Sequence, residues 1–254
     1  MTFSIVAQDN GTGHYGVAVA SRFFAAGAVV PHLAGRVGAI ATQALVSPIY
    51  GTEGLIMLRS GKSAQEVIDT VVGRDQGAHS RQIHLIDSKG RTAAFTGEKC
   101  VSWCGHLVEE GVTVAGNMLA GPQVVEAAME TYQANIALPL EQRLMTAMEA
   151  AETAGGDKRG RQSAALKIVH DDDHPWLDVR ADDHGDPLAE LRRLHAVAQE
   201  RYLHFAELMP SRTNIHGLLD RTEIDRKIAR LEAERNTKGI ASASFATAAP
   251  VSGG

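Results

Sequence analysis

The stretch TFSIVAQDNGTGHYGVAVASR, residues 2–22, decides the fold. Its first seven residues alternate, with Phe3, Ile5 and Ala7 on one face and Thr2, Ser4 and Val6 on the other, the period of a β-strand. Asn10-Gly11 is a strong hairpin signal, and YGVAVAS at 15–21 supplies a second strand of alternating valine and alanine. If the turn centres between Gly11 and Thr12, paired positions sum to about 23, which sets Thr2 opposite Ser21 with Arg22 just beyond. Small residues on both faces of this pair suit an interior strand with another layer close on each side.

Working outward, VGAIATQA (37–44) repeats the small-residue strand texture. Helical spacing follows in YGTEGLIMLRSG, through Leu55 and Leu58, and in SAQEVIDTVVGRD, through Val67 and Val71 behind a Ser63/Glu66 capping box. RQIHLIDSKGRTAAFTG reads as two short strands around Ser88–Gly90, and HLVEEGVTVAGNM as one or two more. QVVEAAMETYQAN and PLEQRLMTAMEAAETA are amphipathic helices, the second with Pro139 in its first turn and Gly155 as its stop. AALKIVH and WLDVRA are strands, and LAELRRLHAVAQERYLHFAELM and RTEIDRKIARLEAERN are helices. About eight antiparallel strands with interleaved helix pairs predict a layered α+β domain, two stacked sheets with helices outside. The closing IASASFATAAPVSGG is low in complexity and predicts a disordered tail.

Composition bounds the function. Hydrophobic residues at 44% and charged residues at 22% describe an ordinary globular chain, and a net charge of -5 supplies no basic footprint for nucleic acid. No secretory or membrane-spanning segment is evident, which predicts a cytoplasmic protein. Cys100 and Cys104 in CVSWCGH fit a reducing compartment, and with His106 they make an incomplete zinc set at a non-standard spacing. No cofactor or metal is expected, and the expected partner is a small-molecule substrate. The helices at 188–209 and 220–236, with stripes Leu188/Leu191/Leu194 and Ile224/Ile228/Leu231, suit either a homo-oligomer interface or packing on their own domain.

Thr2 follows the initiator methionine directly. Methionine is trimmed when the next side chain is small, so processing would place a hydroxyl nucleophile and a free α-amine on one residue. The amine, with a reference pKa of about 7.7 to 8.0, is a base for its own hydroxyl. Asn117 in AGNM is the candidate oxyanion donor, or else a turn cap. Ser21 is placed to orient the amine. Arg22, between VAVAS and FFAAGAVVP, reads as a cation in an apolar setting that needs Asp157 or Asp183 as an ion-pair partner, or a substrate carboxylate. The loop GGDKRGRQ offers backbone amides and charge for an anion, or anchors itself through Arg161 and Gln162. HDDDH and DDH, with His170, His174 and His184, invite a metal-dependent hydrolase as a further reading, although consecutive aspartates in turns usually face water.

TFSIVAQD, GVAVASRFFAAGAVVP, ATQALVSPIYG, GNMLAGP, AGGDKRGRQSAAL and DVRADDHGDPLAELRRL together resemble the bacterial domain of unknown function 1028 family, grouped with the N-terminal nucleophile (Ntn) hydrolases. The resemblance runs from about Thr2 to Leu194. It implies a four-layer αββα sandwich over residues 1–195, followed by a helical extension at 196–238 and the tail at 239–254. It does not imply a substrate. Thr2, Ser21, Arg22 and Asn117 are the expected catalytic group, and Gln43, Asp157, Arg161, Asp183 and His184 the expected substrate-binding group. Cys104 departs from the small apolar residue expected there. Arg22 departs from the lysine of proteasome-type sites and cannot act as a base. The leading function is amide hydrolysis through an acyl-enzyme; the alternative within the same fold is a non-catalytic binding or assembly module.

Overall fold

Strands β1 (Thr2–Gln8) and β2 (Tyr15–Ser21) pair antiparallel with Thr2 opposite Ser21, the register that the turn chemistry predicts. The turn is held by Asp9, whose Oδ1 accepts the backbone N–H groups of Gly11 and Thr12. Asp9 Oδ2 accepts in turn from the buried Arg143 guanidinium at 3.0 Å, which also lies over the Tyr132 ring.

The computed structural model describes residues 2–246. It is a mixed α/β structure with two antiparallel sheets and, among the described residues, seven α-helices. The remaining strands are β3 (Pro31–Ala34), β4 (Gly38–Ala44), β5 (Arg81–Asp87), β6 (Thr92–Thr96), β7 (Gly105–Glu109), β8 (Val112–Asn117), β9 (Ser163–Val169) and β10 (Leu177–Ala181). One sheet has the order β10-β9-β2-β1-β8-β7, the other β3-β4-β5-β6. The hairpin that opens the chain therefore lies in the middle of the larger sheet.

Helices α1 (Pro48–Arg59) and α2 (Ala64–Gly73) cover the smaller sheet, with Tyr50, Leu58, Val67, Ile68 and Val71 packed against Ile40, Ile83 and Leu85. The expected capping box at Ser63 and Glu66 is formed in both directions. Helices α3 (Gln123–Ala134) and α4 (Leu140–Thr153) lie against the larger sheet. Gly16 permits the approach of α4, since a Cβ there would come within 2.4 Å of Leu144. Between the sheets, Val6, Val17 and Val19 meet Leu33, Ala39, Ala41 and Ile86 in one buried cluster. Each such valine, leucine or isoleucine contributes about 1.5 to 3 kcal/mol on leaving water.

Three expectations need correction. Among the described residues ten strands form; the one not read from the sequence is β3, a four-residue edge strand opening on Pro31, too short to carry an alternation and placed where a missing N–H is tolerated. Pro139 stands outside the first turn of α4 as its N-cap. The single long helix expected from 188 breaks into α5 (Pro187–Glu200) and α6 (Tyr202–Ala206), because Arg201 leaves the helical region with φ -150° and ψ -49°.

The chain divides into two compact units, one up to Leu191 and one from Arg192. The second contains α6, the longer α7 (Arg221–Thr237), and residues 240–246 without helix or strand. Of the two apolar stripes considered for self-association, Leu188, Leu191, Ile224 and Ile228 are already buried within the chain. No helix of the described residues is long and apolar enough to cross a membrane. Met1 and the last part of the expected tail, 247–254, lie outside the described residues.

Candidate functional site

Thr2 heads the central strand β1, and the sheet register lines up its neighbours. Asn117 at the end of β8 faces it on one side and Ser21 at the end of β2 on the other, with Ser163 of β9 next beyond Ser21. Four polar residues thus form a row across one end of the sheet, all of them buried. Thr2 Oγ1 and Ser21 Oγ share a hydrogen bond of 3.1 Å. Ser163 Oγ accepts from the Ala26 N–H and donates to the Phe23 carbonyl, which fixes the turn after Arg22.

Beneath the row, carboxamides cross from one sheet to the other. Gln43 Nε2 donates to the Thr2 carbonyl at 3.4 Å and to Gln82 Oε1 at 2.7 Å. Asn117 Nδ2 donates to the same two oxygens at 3.5 and 3.4 Å. Gln82 Nε2 donates to the carbonyls of Gly116 and Gly105 and to Thr96 Oγ1. Ser4 Oγ donates to Gln43 Oε1 at 2.6 Å and lies 2.8 Å from His84 Nε2. With the Ser4 proton committed to Gln43, His84 donates from Nε2, which leaves Nδ1 as the unprotonated nitrogen of a neutral ring.

Burial pushes the fully enclosed His84 imidazole down to about 3. In the unfolded chain a histidine takes up its proton near 6.5, so between about pH 3 and 6.5 the unfolded state binds a proton that the folded state refuses. Stability is therefore expected to fall as pH drops below about 6.5, with the His84 contribution approaching about 1.4 kcal/mol per pH unit and amounting to about 2 kcal/mol between pH 7 and 5. Urea unfolding from pH 7 to 5 checks this: the His84→Gln variant should show a slope shallower by that amount, and equal slopes would refute it.

The residues singled out in the sequence separate into two groups. Thr2, Ser21, Asn117 and Gln43 come together at the strand ends. Arg22 does not behave as expected: its side chain is exposed rather than set in apolar surroundings, and its guanidinium donates to Gln162 Oε1 at 3.0 Å. A turn directly after β2 swings it off the strand. Its expected partners are engaged otherwise. Asp157 accepts the backbone N–H of Arg22 at 2.9 Å and pairs with Arg159, and Asp183 accepts from Gln162. Arg161 pairs with Glu152 and Asp186, anchoring its loop, and exposed His184 accepts the Asp186 N–H on Nδ1. These loop residues surround the Ser21 end of the row through Gln162, whose N–H donates to the Ser21 carbonyl.

Among the described residues no group of three or more His, Cys, Asp or Glu is arranged to hold a metal ion. His170 is stacked between His14 and Trp176, while Asp171 and Asp173 pair with Arg36 and Arg59. Cys100 and Cys104 are free thiols directed at the carbonyls of Arg81 and Cys100, and His106 Nδ1 meets Thr96.

Ser4, Gln82 and His84 escape the sequence reading. Their signal is present, since Gln82 and His84 are polar residues two apart, interleaved with Ile83 and Leu85, and so share a face of the strand. Only the second sheet, which supplies their partners, gives that face a meaning.

Fold and site together define a mixed α/β protein of two antiparallel sheets with a threonine heading a central strand over a buried carboxamide network. The chain belongs to the DUF1028 family, described as a family of unknown function, whose model matches residues 2–191. No curated protein matches the chain. Among solved structures it is similar to the crystal structure of protein SPO2555 from Silicibacter pomeroyi, likewise assigned to DUF1028, at 34% identity and a TM-score of 0.81, over 87% of this chain and 96% of that one. Anbu (ancestral beta-subunit) from Yersinia bercovieri aligns over 83% of this chain and 99% of its own at 12% identity and a TM-score of 0.38, too distant to argue from.

Proposed function

We propose that this protein is an N-terminal-threonine amidohydrolase of the Ntn type, built on an αββα sandwich over residues 1–195, and that it cleaves a C–N amide bond in a small or peptide-like substrate. The observation that carries the reading is the row Asn117, Thr2, Ser21 at matched strand ends, in which Ser21 Oγ bonds the Thr2 hydroxyl and the Asn117 carboxamide reaches the Thr2 carbonyl. Removal of Met1 would free the α-amine. Thr2 Oγ then attacks the amide carbonyl while that amine takes the hydroxyl proton, directly or through water, and passes it to the departing amine. Water hydrolyses the resulting ester by the same route. The free thiols of Cys100 and Cys104 agree with a cytoplasmic setting.

Asn117 is the oxyanion donor in this scheme. Its two present bonds, at 3.5 and 3.4 Å, are long, so exchanging one for a developing oxyanion costs little. Asn117→Ala is expected to slow acylation by about 10²- to 10³-fold, or about 2.7 to 4 kcal/mol, with folding retained. An unchanged rate would reduce Asn117 to a fastener of the sheet end. The Arg22 guanidinium, bonded to Gln162 Oε1, is assigned, with Asp157, Arg161, Asp183 and His184 shaping the loop around it, to a substrate carboxylate.

The test is intact mass and N-terminal sequencing of the protein from its own host, followed by incubation with a β-lactone. Loss of Met1 and a single adduct on Thr2 support the reading. Retained Met1 and no adduct overturn it, leaving the fold a binding or assembly module.

A further inference from the structure

Next to Thr2 lies a cavity of about 60 Å³ lined by Thr2, Phe23, Ala26, Val29, Val30, Gln43, Ala44 and Val46. On that measure one water-sized group occupies about 10 to 15 Å³, so the space admits roughly four to six heavy atoms. A branched aliphatic side chain fits; a naphthyl group does not. The polar members of the lining do not make it a polar site. Both amide hydrogens of Gln43 are committed, to the Thr2 carbonyl and to Gln82, and Thr2 Oγ1 is shared with Ser21. Every other wall residue is apolar. A polar group entering the cavity would lose its water and find only the Thr2 hydroxyl with side-chain hydrogen-bonding capacity to spare at one end, whereas a hydrocarbon against the six apolar residues would gain by leaving water. Phe24 and Leu45, adjacent in sequence to the lining residues Phe23, Ala44 and Val46, are 62% and 61% exposed, so apolar surface continues on both lining segments.

We infer that this cavity receives a short branched aliphatic group attached to the scissile carbonyl, so that the substrate class is an amide whose acyl half carries an isopropyl- or isobutyl-sized side chain. The inference rests on the proposed role of Thr2, and its test separates the two.

The protein is exposed to a series of β-lactones with one warhead and differing ring substituents: none, isopropyl, isobutyl and naphthylmethyl. In each case the Oγ–acyl bond forms and the ring C–O bond breaks, the hydroxyl proton passing through the α-amine to the ring oxygen, with nothing oxidised or reduced. Intact mass against time is expected to show the isopropyl and isobutyl lactones labelling Thr2 at least tenfold faster than the naphthylmethyl one. Val46→Trp, at a partly exposed wall position, should remove that advantage, read as the ratio of the isopropyl and isobutyl rates to the naphthylmethyl rate on the same variant. Equal rates across the series, with Thr2 labelled, overturn the aliphatic pocket and leave the nucleophile standing. Faster labelling by the naphthylmethyl lactone also overturns the pocket. No labelling by any member, including the unsubstituted one, overturns the nucleophile and the pocket with it.

Discussion

Thr2→Ala is expected to abolish covalent labelling and hydrolysis, lowering the rate by roughly 10³-fold or more, the scale of losing the nucleophile of an acyl-transfer site. Alanine is also small enough to permit methionine removal, so the variant separates the hydroxyl from the processing of the terminus. Its cost to the fold is modest. Thr2 is the first residue of a strand, its side chain makes one hydrogen bond to Ser21, and losing that bond costs about 0.5 to 1.5 kcal/mol. Thr2→Ser should restore labelling, since the hydroxyl and the amine are both retained. Circular dichroism and intact-mass kinetics on the three proteins decide the matter; label on Thr2→Ala at the wild-type rate would move the nucleophile elsewhere.

The largest effect on stability is expected from Gln82→Leu. Leucine matches the glutamine in bulk but removes the donor to Gly105, Gly116 and Thr96 and the acceptor used by Gln43 and Asn117. All of this lies at a residue with no exposure. Buried groups left without partners cost about 1 to 3 kcal/mol each, so the total is on the order of 3 to 6 kcal/mol. For a protein of this size that corresponds to a Tm lower by roughly 10 to 20 °C. Gln82→Glu should cost at least as much at pH 7, since a carboxylate enclosed against the Gly105 and Gly116 carbonyls must either take up a proton or leave its charge unpaired. A Tm within 3 °C of wild type for the leucine variant would show that the network is dispensable to the fold.

Much of the fold was legible because its information is local. The alternation in residues 2–8, the Asn-Gly turn and the valine-alanine strand set a register that the structure repeats residue for residue, and the Ser63/Glu66 box marks a helix start within a residue. In the site, that register brings Ser21 to Thr2, while Asn117 and Gln43, singled out as polar residues at or near strand ends, arrive through the pairing of β8 with β1 and from the facing sheet. Arg22 failed because the side-chain direction at a strand end is set by the turn that follows, here tied down by Ser163 and Asp157 some 135 to 140 residues away. Gln82 and His84 failed for the complementary reason: a polar residue inside a strand has no reading until the facing sheet is known.

The carboxamides that cross between the sheets also have a mechanical consequence. Apolar layers can slide and re-form equivalent contacts, because dispersion is indifferent to register. The bonds from Gln43 to the Thr2 carbonyl and from Gln82 to the Gly116 carbonyl cannot, since a displacement by one strand spacing, about 4.8 Å, exceeds the 3.4 and 2.9 Å over which they act. They serve as shear pins: sliding one layer past the other must break them, which ties the alignment of the row at the strand ends to the stacking of the two sheets.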